Sequence, residues 1–129
     1  MASVAAMNKR EHYRTEIISP SGNTLIADEP VSNGGEDLGF SPTELLASSL
    51  AACTCVTLRM YADRKGWELD HIYVDVNVAP GEGKTLFARK IKLSGNLDAQ
   101  QLDRLLYIAN ACPISRILSN PIDIQTVLE

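Results

Sequence analysis

Positive charge is scarce in this sequence. Its 12 lysines and arginines stand against 16 acidic residues, for a net charge of -4 and a pI near 5.1. Nucleic acids and anionic membrane surfaces are held by clustered Lys and Arg, so neither is an expected partner. No apolar run reaches the roughly 20 residues that cross a bilayer. Residues 1–7 are small and apolar but have no basic stretch before them, so they do not read as a signal peptide. Histidine is nearly absent: His12 lies near the terminus and His71 at the start of a strand. A nucleophile elbow, a phosphate loop and a His-Glu-x-x-His zinc motif are all missing, and without a well-placed histidine a Cys-His hydrolase is not expected. The 3 cysteines are too few, and odd in number, for a secreted disulfide scaffold. In a reducing cytosol they stay as thiols or cycle in catalysis or sensing, which points to a cytoplasmic protein. Nothing calls for a cofactor or a metal ion.

The remainder is ordinary for a globular protein, with 45% hydrophobic and 22% charged residues in 129. That length suits one domain with a modest core, expected at 13–129 after a disordered tail at 1–12. Residues 13–18 and 24–28 read as strands about a Pro-Ser-Gly-Asn turn, and the glycine-rich 32–39 as a loop. A helix opens at Ser41, with Pro42 at its first position and Glu44 completing a capping box, and runs to Lys65 before Gly66. Its half from Leu45 to Val56 carries no charge. A helix apolar on every side is a buried one, and in so small a chain a second subunit is needed to cover it.

Residues 71–78 and 85–93 alternate as strands about Pro80-Gly81-Glu82-Gly83, with Arg89 anomalously on the apolar face. Asp98 caps a second helix, with Gln101 reciprocating and Leu97 and Leu102 placed as a hydrophobic staple. Pro113 breaks that helix and starts a short one at 113–118, with Cys112 near its N-cap. Residues 122–128 alternate as a last strand. The order β-β-α-β-β-α-α-β predicts an α+β fold with mainly antiparallel sheet.

Cys53 lies in the helical stripe Leu46, Ser49, Leu50, Cys53, Val56, Thr57 and Met60. Cys55, two residues on, points about 200° away, so the two thiols do not converge on a metal. A cysteine inside an apolar helix often serves only as a small hydrophobe. Cys112 differs, because free backbone N–H groups at the start of a helix stabilise a thiolate. It can equally be a simple boundary residue. With no histidine to serve, a reactive cysteine here needs another activator. Arginine is the natural one, since its fixed charge lowers a thiol pKa and orients a peroxide oxygen.

Ser41-Pro42-Thr43-Glu44-Leu45-Leu46, Ala51-Ala52-Cys53 and Ala111-Cys112-Pro113-Ile114-Ser115 together resemble the OsmC/Ohr family of osmotically inducible and organic hydroperoxide resistance proteins. The resemblance runs from about residue 13 to the end. It implies an intertwined homodimer, antiparallel sheets around a long buried central helix, and active sites at the dimer interface. By the same resemblance Cys53 is the peroxidatic cysteine, Cys112 resolves its sulfenic acid as a Cys53–Cys112 disulfide, and Glu44 orients the catalytic arginine. An external dithiol, dihydrolipoyl groups among them, returns the electrons. The family's arginine precedes the Pro-x-Glu motif. Here 31–40 has none, and Arg14 is the sole upstream candidate inside the expected domain; Arg89 and Arg116 are further arginines that the resemblance does not single out. The expected function is thiol-dependent reduction of organic hydroperoxides, hydrogen peroxide, or both. Phe40, Leu45, Leu46 and Val56 framing an apolar entrance would favour organic substrates. The alternatives are a family member without peroxidase activity that binds a small apolar ligand at the dimer interface, or a redox sensor.

Overall fold

A computed structural model describes residues 2–129. The element order is β1 (Ala5–Asn8), β2 (Thr15–Ile18), β3 (Thr24–Ala27), a 3-10 turn (Val31–Asn33), α1 (Pro42–Lys65), β4 (Glu68–Gly81), β5 (Lys84–Asn96), α2 (Ala99–Asn110) and α3 (Pro113–Ser119). The α+β class with antiparallel sheets is as expected. The chain divides into two compact units, one ending at Leu46 and the other running Ala47–Glu129.

In the first unit β2 pairs antiparallel with both β1 and β3. The expected tail at 1–12 therefore contributes a strand. The edge of β2 offers unpaired backbone groups, and Ala5 to Asn8 satisfy them opposite Ile18 to Thr15. After β3 the buried Asp28 carboxylate accepts hydrogen bonds from the amides of Glu29, Leu38 and Glu36 at 2.7, 3.1 and 3.4 Å, which organises the loop. Burial pushes its carboxyl up, but those three amides outweigh the effect and hold it below the ordinary 3.8. Gly39 is required where it sits, since a Cβ there would lie 1.9 Å from the Ile26 carbonyl oxygen. The start of α1 is capped as expected: the Ser41 amide donates to Glu44 Oε1 at 2.8 Å and the Glu44 amide to Ser41 Oγ at 3.2 Å.

In the second unit β4 and β5 form one long hairpin, Glu68↔Asn96 to Gly81↔Lys84, longer than alternation alone indicated. Gly83, at φ 65°, makes the turn. The inward face carries Ile72, Val74 and Val76 opposite Leu93, Ile91 and Arg89. Against it pack α1 and α2 through a core of Leu58, Ala62, Leu69, Leu105 and Ala109. The Asp98–Gln101 capping box opens α2 as expected.

Three expectations need correction here. The buried residues of α1 are Leu50, Thr54, Leu58 and Ala62, a stripe rotated from the expected one, while Val56 is 56% and Met60 49% exposed. A helix with apolar residues on every side contains no signal for which side faces inward, and in one chain only one stripe is covered. At 24 residues and a mean hydropathy of 1.4, α1 is also long and apolar enough to cross a membrane, contrary to the reading that no run is. A core helix meets the same criterion, and this one packs a stripe inside the protein. Residues 122–128 form no strand. Alternation needs a neighbouring edge to pair with, and Ile124 and Val127 instead stay 83% and 84% exposed.

Candidate active site

Three local features of the second unit converge on Cys112. Pro113 starts α3 at its first turn, which leaves Cys112 as the extended N-cap residue, at φ -65° and ψ 150°. In that position its sulfur accepts from the Ser115 amide at 3.4 Å. Strand alternation on β5 then turns Arg89 inward, where it meets the ends of two helices. Its Nη1 donates to Thr54 Oγ1 at 2.9 Å, Ser115 Oγ at 3.1 Å, the Ala109 carbonyl at 3.2 Å and the Cys112 sulfur at 3.9 Å. Its Nη2 donates to Asn110 Oδ1 at 3.0 Å.

The hydroxyl orientations follow by elimination. Guanidinium only donates, so both hydroxyls accept from it. Thr54 gives its own hydrogen to the Leu50 carbonyl at 2.7 Å. Ser115 then has its hydrogen left for the Cys112 sulfur, 3.1 Å away. Cys112 is fully buried, and burial pushes its thiol up. The Ser115 hydroxyl, the Ser115 amide, the Cys53 thiol and Arg89 outweigh that and hold it below the ordinary thiol range. This arrangement suits a thiolate that accepts several donors at once.

Cys53 is one of the groups that hold the Cys112 thiol below its ordinary range. It is half-buried on α1, with Thr57 Oγ1 at 3.8 Å. All three cysteines are free thiols, and Cys55 is not among the groups that act on Cys112. Arg116 is exposed in the last turn of α3. In the first unit Arg14 faces Glu16 at 3.3 Å and Glu11 at 3.5 Å, and Glu44 caps α1. Phe40 is 55% exposed. Among the described residues no three His, Cys, Asp or Glu side chains converge as a metal site. A cavity of about 450 Å³ opens against Arg89, Asn110 and Ser115, with Leu50 and Phe87 on its apolar side. Sequence reasoning missed Thr54, Asn110 and Ser115 as parts of this network. The one signal that pointed to it was a charge at an inward position of an alternating strand.

The family model for OsmC-like proteins matches residues 34–127. The chain belongs to the OsmC-like family. Solved structures agree with this placement of the OsmC-like protein. A Psychrobacter arcticus 273-4 protein named for osmotic stress induction and the detoxification response is 26% identical, with 91% of this chain and 88% of that one covered and a TM-score of 0.74. The organic hydroperoxide resistance protein OhrB of Bacillus subtilis is 25% identical over 91% and 89%, at a TM-score of 0.61. An OsmC-like protein from Mycoplasma pneumoniae shares the fold, at 18% identity over 92% and 87% and a TM-score of 0.75. No curated protein matches the sequence.

Proposed function

We propose that this OsmC-like protein is a thiol-dependent peroxidase for organic hydroperoxides, with Cys53 attacking the peroxide and Cys112 resolving the product as a disulfide. The observation that carries the reading is Cys112, buried at the head of α3 and accepting from Arg89, with Cys53 among the groups that hold its thiol down. Two cysteines with an adjacent fixed cation are the minimal equipment for cycling between dithiol and disulfide. The cavity beside Arg89 offers an apolar wall for the organic part of a hydroperoxide and polar groups for its oxygens. Membership in a family that includes organic hydroperoxide resistance proteins supports the same chemistry.

The working form is a homodimer in the cytoplasm. Support for the dimer comes from the open apolar side of α1 and from the unpaired residues at 122–128, both of which a second copy would cover. An external dithiol, dihydrolipoyl protein included, reduces the disulfide. The test is consumption of cumene hydroperoxide with a dithiol reductant by the wild type, Cys53→Ser and Cys112→Ser. Turnover abolished in Cys53→Ser supports the reading. A wild type no faster than free thiol refutes it and directs attention to apolar ligands instead.

A further inference from the structure

The part-buried guanidinium of Arg89 lacks a carboxylate. The ion pairs among the described residues join Arg14 to Glu11 and Glu16, and Arg59 to Asp63; none involves Arg89. Each of its hydrogen-bond partners among the described residues is a neutral oxygen, save the sulfur of Cys112. A cation drawn out of water without a counter-ion is unfavourable. The groups facing it from α1, α2 and α3 are Thr54, the Ala109 carbonyl, Asn110, Cys112 and Ser115, and of these only Cys112 can become an anion. Arg14, to which the family resemblance points for the activating cation, is already satisfied by two carboxylates.

The hydrogen bonds at the Cys112 sulfur all run inward. Cys112 accepts from Arg89, from the Ser115 amide and from the Ser115 hydroxyl. A sulfur that collects donors is held as a thiolate, and that anion is the acceptor to which the Cys53 thiol can pass its hydrogen.

We propose that Arg89 is the positioning residue that primes this thiol pair, by holding a negative charge on Cys112, and that Cys112 acts as the base for Cys53 before it acts as the resolving cysteine. This rests on the peroxidase reading above. Cys53 passes its proton to the Cys112 thiolate. The Cys53 thiolate then attacks the outer oxygen of ROOH; the O–O bond breaks, Cys53 becomes a sulfenic acid, and RO⁻ leaves. The alkoxide takes the proton from Cys112 and departs as ROH, so Cys112 is again a thiolate. That thiolate attacks the Cys53 sulfur and expels hydroxide, which takes up from solvent the proton that Cys112 released when it first ionised, and leaves as water as the disulfide forms. The thiol pair has lost two electrons and the peroxide has gained them. Arg89 balances the single negative charge at each stage without itself changing protonation.

The test uses the full-length chain carrying Cys55→Ser, so that only the pair is read. Thiolate absorbance is titrated with pH, and sulfenic acid formation is followed by dimedone trapping with one equivalent of cumene hydroperoxide. The proposal expects a thiolate below the ordinary thiol range that disappears in Cys112→Ser, moves up in Arg89→Gln and is partly restored in Arg89→Lys. Sulfenic acid formation at Cys53 should slow about a hundredfold in Cys112→Ser, as loss of a general base does. Should Arg89→Gln fail to fold, Arg89→Lys and Cys112→Ser carry the test. Sulfenic acid forming at the wild-type rate in Cys112→Ser overturns the proposal, because a purely resolving cysteine leaves the first step intact. A low-pH thiolate that survives Cys112→Ser overturns it equally. If the titration depends on Cys112 and Arg89 but the wild type consumes no peroxide, the primed pair stands and the peroxidase reading falls.

Discussion

Replacing Thr54 by valine removes one buried hydroxyl and almost nothing else. That hydroxyl donates to the Leu50 carbonyl at 2.7 Å and accepts from Arg89 Nη1 at 2.9 Å. Valine fills the same space, so no cavity contribution arises. The Leu50 carbonyl keeps its helical N–H partner, and its loss is small. The bond from Arg89 comes from a charged donor, and such bonds are worth about 1.5–3 kcal/mol. Because the guanidinium retains Ala109, Asn110 and Ser115 as acceptors, Thr54→Val should destabilise the protein by about 2 kcal/mol. At the roughly 4 °C per kcal/mol that applies to a chain of this length, the unfolding midpoint falls by about 8 °C. The assay is thermal unfolding by far-ultraviolet circular dichroism at one protein concentration, since a dimer's midpoint moves with concentration. It is run as a double-mutant cycle with Arg89→Met. In that background Thr54→Val should cost less than about 0.5 kcal/mol, the scatter expected of independent sites. Equal losses with and without the guanidinium would refute the bond as the source of the effect.

Three further outcomes follow from the same geometry. Cys112 ionises below its ordinary value in the folded chain, so its contribution to stability is complete above the unfolded-state value near 9.0 and is lost as pH falls through the folded value. Ser115→Ala, which removes the hydroxyl donor, should flatten that rise in a pH series of unfolding midpoints; an unchanged slope would show that the hydroxyl does not bond the sulfur. Asp28 is likewise depressed, so its contribution is complete above 3.8 and is lost as the solution becomes more acid. Asp28→Asn should speed amide exchange at Glu36 and Leu38 at neutral pH and remove the acid dependence of that exchange, and protection equal to wild type would contradict the brace. Leu58 is fully buried at the centre of the second unit's core, and Leu58→Ala should lower stability by about 3 kcal/mol in denaturant titration, whereas a loss under about 1 kcal/mol would mean the core re-forms around the gap.

Much of this protein is legible in its sequence because capping and alternation are local. Ser41 with Glu44 and Asp98 with Gln101 mark their helix starts within four residues of chain, and Pro113 fixes Cys112 at the head of α3 for the same reason. What escapes a sequence reading is set by distant neighbours. The face of α1 is undetermined when every side is apolar, so Thr54 falls off the expected stripe although it is fully buried. Residues 5–8 look like a tail until the edge of β2 is seen, and 122–128 look like a strand with no edge beside them. Arg89 was visible as an inconsistency, a charge where alternation wanted an apolar residue, but its partners Thr54, Asn110 and Ser115 lie 35, 21 and 26 residues away.

The hairpin of β4 and β5 therefore does more than cover a core: it sets the phase of the chemistry. Side chains on a strand change faces at every step, and Arg89 reaches the Cys112 sulfur only because its register opposite Val76 holds. An insertion of one residue between the Gly83 turn and Arg89 would bring Ala88 or Lys90 to the inward face and leave the thiol pair without its guanidinium, even in a sheet that paired well. In β5, length itself therefore matters: a shift of one residue would take the guanidinium from Cys112 while the hairpin stayed paired.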